Sequence, residues 1–137
     1  MKLFSLVFLR ISLALLMLIW GLDKIVNPDH GVAVAERFYF GLMATGTIMP
    51  ILGMLQVLVA LLMIAGLWRR YVYVINAVLA GLTLAGVWQS VIDPWGWFLS
   101  GSNVLFFPSL IVFAASLVLI ALRAEDTFCL DAKRKGA

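Results

Sequence analysis

Arg10 is the one charged residue inside any long apolar run of this 137-residue chain, and the polar groups nearest to it in depth are amides and hydroxyls. Unsatisfied polarity is expensive in hydrocarbon, so these few residues are where any chemistry of the chain must reside. Counting about 1.5 Å of rise per residue from the basic ends of the runs places Arg10, Asn76 and Ser116 in one layer, roughly 8–11 Å deep. Gln56, Thr83 and Ser109 fall in a second layer, roughly 18–20 Å from the same surface. Asn76 and Thr83 are seven positions apart, as are Ser109 and Ser116, so each pair shares a helix face. The six residues are expected to form a polar seam inside a helix bundle, rooted at Arg10.

Each of these residues also has a structural use. Arg10 lies near enough to the boundary to snorkel into water. Gln56 and Asn76 suit interhelical hydrogen bonds of about 0.6–2 kcal/mol. Thr83, Ser109 and Ser116 can bond a carbonyl of their own helix one turn back. Asp23 and Lys24 read as an interfacial pair at the outer end of the first run, and His30 as a surface residue in a polar turn. A single histidine excludes a two-histidine haem site within the chain, and the lone Cys129 excludes a disulfide framework and a multi-cysteine metal site. No metal is expected.

The elements that would position this seam are four apolar spans, about 3–22, 48–68, 71–92 and 104–122, each near the 20 residues that cross a bilayer. Composition agrees: 64% of residues are hydrophobic and 12% charged, with a mean hydropathy of +1.09, far from the balance of a soluble domain. The sequence therefore predicts an all-α integral membrane protein, a four-helix antiparallel bundle forming a single transmembrane domain over 1–137, with a cytoplasmic tail at 123–137. Asn27, Pro28 and Asp29 signal a turn after the first span, and Val32 to Phe40 reads as a short interfacial helix. Arg69 and Arg70 separate the second and third spans and force a helical hairpin. Asp93 to Phe98 forms an aromatic loop at the outer surface, and Ala77, Gly81, Ala85, Gly53 and Ala60 are small residues suited to close helix contacts.

Charge sets the orientation. With the N-terminus in the cytoplasm, Lys2, Arg10, Arg69, Arg70, Arg123, Lys133, Arg134 and Lys135 lie inside and only Lys24 and Arg37 outside, as the positive-inside rule requires. Both termini are then cytoplasmic, and the basic surplus is an orientation and anionic-lipid signal rather than a nucleic-acid one. Tryptophans fit the same map: Trp20, Trp88, Trp95 and Trp97 at outer ends, Trp68 at an inner end with Tyr71 and Tyr73. The first span is expected to be retained, because Arg10 interrupts it and no small-residue cleavage site precedes Asp23.

Arg10, then Gly21, Leu22, Asp23 and Lys24, a loop with Pro28, and Pro50, Gln56, Gly66, Leu67 and Arg69 form a pattern that resembles the DoxX-like family of small four-helix bacterial membrane proteins. Such proteins often carry a Glu in the second span; Gln56 stands there instead, so no ionisable partner for Arg10 is expected. The resemblance implies a multi-pass protein of the bacterial inner (plasma) membrane, in a family with members linked to quinone reduction and other membrane redox complexes. The first reading is an accessory or assembly subunit that contacts other membrane subunits, or itself, through the aromatic loop and the small-residue ridge. An alternative is a quinone-associated oxidoreductase subunit, with Arg10, Gln56 and Asn76 around a quinone oxygen and Met17, Met54 and Met63 lining a slot. The chain has no intrinsic cofactor motif, so electrons would come from elsewhere. A small transporter or lipid handler is disfavoured by the lack of charge in the last three spans and of a repeat between the halves.

Overall fold

A computed structural model describes residues 1–38, 48–100 and 102–136. Among them the chain is all helical: α1 (Lys2–Val26), α2 (Pro28–Phe38), α3 (Ile48–Ala65), α4 (Arg69–Gly86), α5 (Trp88–Ile92), α6 (Ser109–Ala121) and α7 (Leu130–Gly136), with 3-10 turns at Val104–Phe106 and Arg123–Glu125. Three stretches are long and apolar enough to cross a membrane: Lys2–Val26, Ile48–Ala65 and Val104–Ala121.

Helix α1 packs chiefly on α3, and α4 on α6. The first pair runs antiparallel, because Gly21 lies against Gly53 while Arg10 lies beside Gly66. At Gly21 the contact is backbone to backbone: an added Cβ would sit 2.7 Å from the Gly53 carbonyl oxygen and 2.9 Å from the Val57 nitrogen. Only glycine permits that approach. The second pair is antiparallel too, with Gly81 against Phe113 and Asn76 against Ser116. Leu13, Ala14, Met17, Val59, Ala60, Met63, Val72, Tyr73 and Leu119 form the apolar core between the pairs. Ala77 is buried within this packing, whereas Ala85 is exposed.

Local chemistry sets the boundaries, and several differ from those expected. Pro28 opens α2 at its first position, where a missing N–H costs nothing, so the interfacial helix starts four residues before Val32. Tyr39 and Phe40, its expected end, lie outside the described residues. Helix α3 stops at Ala65 instead of Trp68: Gly66 adopts φ +70° while its N–H reaches the Met63 carbonyl and that of Leu67 the Leu62 carbonyl, a Schellman stop. Trp68 also has positive φ (51°), strained for a residue with a side chain, and it starts α4. The third apolar run is interrupted at Val87, dividing α4 from α5. The last begins as a 3-10 turn, and Pro108 delays its α-helix to Ser109.

Candidate functional site

Asn76 and Ser116 do meet: the Asn76 amide donates to Ser116 Oγ at 2.9 Å, and that hydroxyl donates to the Val112 carbonyl. Thr83 donates to the Leu79 carbonyl in its own helix, and Ser109 is buried at the start of α6. Gln56 is buried, with no hydrogen-bond partner for Oε1 among the described residues. It lies beside Gly21, eleven positions and about 16 Å of helix rise from Arg10. Gln56 is therefore set apart from Arg10 along the bundle.

Arg10 has an ionisable partner after all, and this corrects the reading drawn from Gln56. The partner is Asp126, beyond the last long helix. The Arg10 Nη1 donates to both Asp126 carboxylate oxygens, at 2.8 and 2.7 Å, and Nη2 donates to the Phe128 carbonyl at 2.8 Å. Tyr73 Oη donates to Asp126 Oδ2 at 2.7 Å. Arg10 is 2% exposed, Tyr73 1% and Asp126 1%, so the guanidinium neither snorkels nor meets lipid. Tyr73 is likewise no interfacial anchor; that description fits Tyr71, which is exposed beneath the Arg70 guanidinium.

The segment after α6 is folded back by a second set of bonds. Arg69, buried, donates through Nη1 to the carbonyls of Arg123 and Asp126. Asp131 accepts from the backbone N–H groups of Trp68 and Arg69, each at 2.9 Å, and its own N–H reaches the Gly66 carbonyl. Partial burial works against the Asp131 charge, but the Arg69 and Trp68 amides and the Arg69 guanidinium prevail and hold its carboxyl below the ordinary carboxylate range. Cys129 is buried against Gly66, where a Cβ would collide with it, and Lys2 pairs with Glu125 at the surface. A cavity of about 120 Å³ remains between this tail and the end of α3, with Arg10, Ala65, Phe128, Leu130 and Lys133 in its walls.

At the other end of the molecule, Asp23 accepts from His30 Nδ1, at 2.6 Å, with Lys24 adjacent to it in the chain. His30 is exposed there. Asp93 gathers the N–H groups of Trp97, Phe98 and Leu99 at 3.0, 2.6 and 2.8 Å. The Phe98 amide is the main cause of a lowered Asp93 pKa, helped by Leu99, Trp97 and Gly96 against partial burial. This ring of bonds presents Trp95 and Trp97 stacked at 5.4 Å, with Phe98 fully outward.

A family model, DoxX, matches residues 5–91. The chain belongs to the DoxX family. Within this DoxX chain the match takes in Arg10, Gln56, Arg69, Tyr73 and Asn76 and ends before Asp126. No curated protein and no solved structure matches the chain significantly.

Sequence reasoning missed Asp126, Tyr73 and Arg69 as members of the buried cluster, and Asp131 as the partly exposed clasp beside it. One signal was present: a lone intramembrane arginine requires a counter-charge, and the few acidic residues after α6 lie at the same end as Arg10.

Proposed function

We propose that this DoxX-family chain is an accessory subunit of a larger complex in the bacterial inner membrane, crossing the bilayer four times as an antiparallel bundle with both termini cytoplasmic. Helices α4 and α5 together supply the crossing that length and hydropathy alone do not assign. The observation that carries the reading is the division of labour among side chains. Arg10, Tyr73, Asn76 and Ser116 bond to groups of this chain, whereas many apolar and aromatic side chains are left outward, among them Phe4, Phe8, Leu58, Leu82, Trp97 and Phe98. A surface of that kind suits lipid and neighbouring helices, and the Asp93-braced loop suits a partner's outer end.

The quinone-associated alternative finds less support. Arg10 and Asn76 are already bonded, Met17 and Met63 are packed in the core, and Met54 faces outward instead of lining a slot. Native mass spectrometry after mild detergent extraction tests the choice. The expected result is a stoichiometric second membrane chain that is lost in Trp97→Ala with Phe98→Ala while helix content is retained. A chain that runs alone, carrying one quinone that Gln56→Leu removes, would overturn the accessory reading in favour of the redox one.

A further inference from the structure

The Asp126 carboxylate occupies a site whose walls belong to other elements. Arg10 comes from α1 and Tyr73 from α4, and both donors are held in regular helices buried by the core. Their shared acceptor sits on an irregular stretch between a 3-10 turn and a seven-residue helix. Apart from Asp126 itself, what fastens that stretch is mostly polar: the partly exposed Asp131 clasp on Trp68, Arg69 and the Gly66 carbonyl, the exposed Lys2–Glu125 pair, the Arg69 bonds to two carbonyls, the Arg10 Nη2 bond to the Phe128 carbonyl, and one small buried thiol. The side chain of Phe128, the largest apolar one in the stretch, is 64% exposed, so the residue is held through its carbonyl and not by apolar burial. Segments with little buried apolar surface and exposed hydrogen bonds are those that open locally.

We infer that the Arg10–Tyr73 pair is a binding site for a carboxylate ligand, and that Asp126 is a tethered stand-in which such a ligand displaces. Exchange of one carboxylate for another preserves the charge balance and the bonds from Arg10 Nη1 and Tyr73 Oη, and the incoming oxygens can take over the Nη2 bond that the Phe128 carbonyl gives up, so the buried arginine is not left without a counter-charge. A ligand route exists beside the tail. The cavity between α3 and residues 128–133 has Arg10 in its wall, apolar sides from Ala65, Phe128 and Leu130, and the exposed Lys133 ammonium. Arg10 Nε is buried and has no partner among the described residues, leaving one further donor for an incoming oxygen. Apolar walls with a cationic end suit a carboxylate bearing an apolar body. Two sources carry that chemistry: a short carboxylic acid from water, or a fatty acid from the surrounding leaflet. The inference does not depend on whether a larger complex exists.

Cys129 supplies the test, since it is the only cysteine of the chain and lies buried in the closed tail. Maleimide labelling of the intact protein in nanodiscs, at fixed pH and ionic strength, reports opening directly. Acetate and butyrate probe the aqueous source and oleate the bilayer source, with chloride as control. Labelling should rise with carboxylate, about elevenfold when the free acid reaches ten times its dissociation constant for the open site, and stay flat in chloride. The arm that responds at the lower concentration identifies the source. Asp126→Ala should label rapidly without any acid, and acetate should raise its melting temperature but not that of Asp126→Ala combined with Arg10→Gln. Wild-type labelling indifferent to all three acids would overturn the inference, and so would an Asp126→Ala protein whose melting ignores them. If Asp126→Ala does not fold, the wild-type labelling decides alone.

Discussion

A guanidinium and a carboxylate withdrawn together from water stabilise a fold little in net terms, but either left alone is costly. Arg10 and Asp126 are therefore expected to fail singly and succeed jointly. Arg10→Leu or Asp126→Leu should each lose about 3–5 kcal/mol, while the double replacement should recover most of the loss. Unfolding in mixed micelles, followed by helix content, measures the cycle; strictly additive losses would mean that the pair is not coupled. Asp131 gives the same tail a pH dependence. Its folded pKa is lowered, so its contribution is complete above the unfolded value near 4 and disappears as pH falls through the lower folded value. Hydrogen exchange of residues 126–136, corrected for its intrinsic pH dependence, should rise in acid below about pH 4, and Asp131→Asn should reduce that rise. At this scale the sequence was legible only inside regular helices. Constant rise per residue put Asn76 and Ser116 in one layer together with Arg10, whereas Asp126 lies past the last long helix, where no periodicity relates position to depth. Tyr73 was obscured differently: an aromatic near a span's end serves equally as an interfacial anchor or an inward donor, and only the location of Asp126 separates the two.

Between elements, the distinction among glycines is one of what each would touch. Gly21 faces backbone atoms of α3, which cannot yield individually, so Gly21→Ala must push α1 away from α3 and should cost about 1–3 kcal/mol. Gly81 faces only the edge of the Phe113 ring at 3.1 Å, and a side chain can move. Gly81→Ala should therefore stay within about 1 kcal/mol of neutral, with the helix-favouring effect of alanine offsetting the ring's displacement. Thermal unfolding of both variants in the same detergent checks the order, and a Gly81→Ala loss equal to that of Gly21→Ala would refute it. Both glycines could be noticed in the sequence, but not their difference, which depends on how two helices cross. Element ends are dictated by one residue at Pro28 and Gly66, yet the expectation treated Pro28 as a loop signal instead of a first helical residue and carried the second span past Gly66 to Trp68. The break at Val87 has no such residue, and hydropathy continues across it.

For the molecule as a whole, the arrangement within the long helices is inverted relative to a soluble protein: Arg10, Gln56, Asn76 and Ser116 are buried inside, and many large apolar side chains face out. Composition alone made that class legible, because the chain contains too little polar surface to cover itself. The number of crossings is harder. Helix α4 begins with Arg69 and Arg70 and contains Asn76, so it is not among the three stretches that length and hydropathy select. Its 18 residues nevertheless rise about 27 Å, close to the hydrocarbon thickness. Arg69 and Asn76 are also turned inward, with Arg69 bonded to the tail and Asn76 to α6, so neither exposes its polar group to lipid. A helix with shielded polar groups can cross where its hydropathy argues against it. Reporter fusions at 28, 68, 97 and the C-terminus should accordingly read outside, inside, outside and inside. The fourth position is the decisive one, since α1, α3 and α6 crossing without α4 would leave the C-terminus opposite the N-terminus. It would also separate Asp126 from Arg10 by the full bilayer, so an outside signal there together with an outside signal at 28 is incompatible with the buried pair as well as with four crossings.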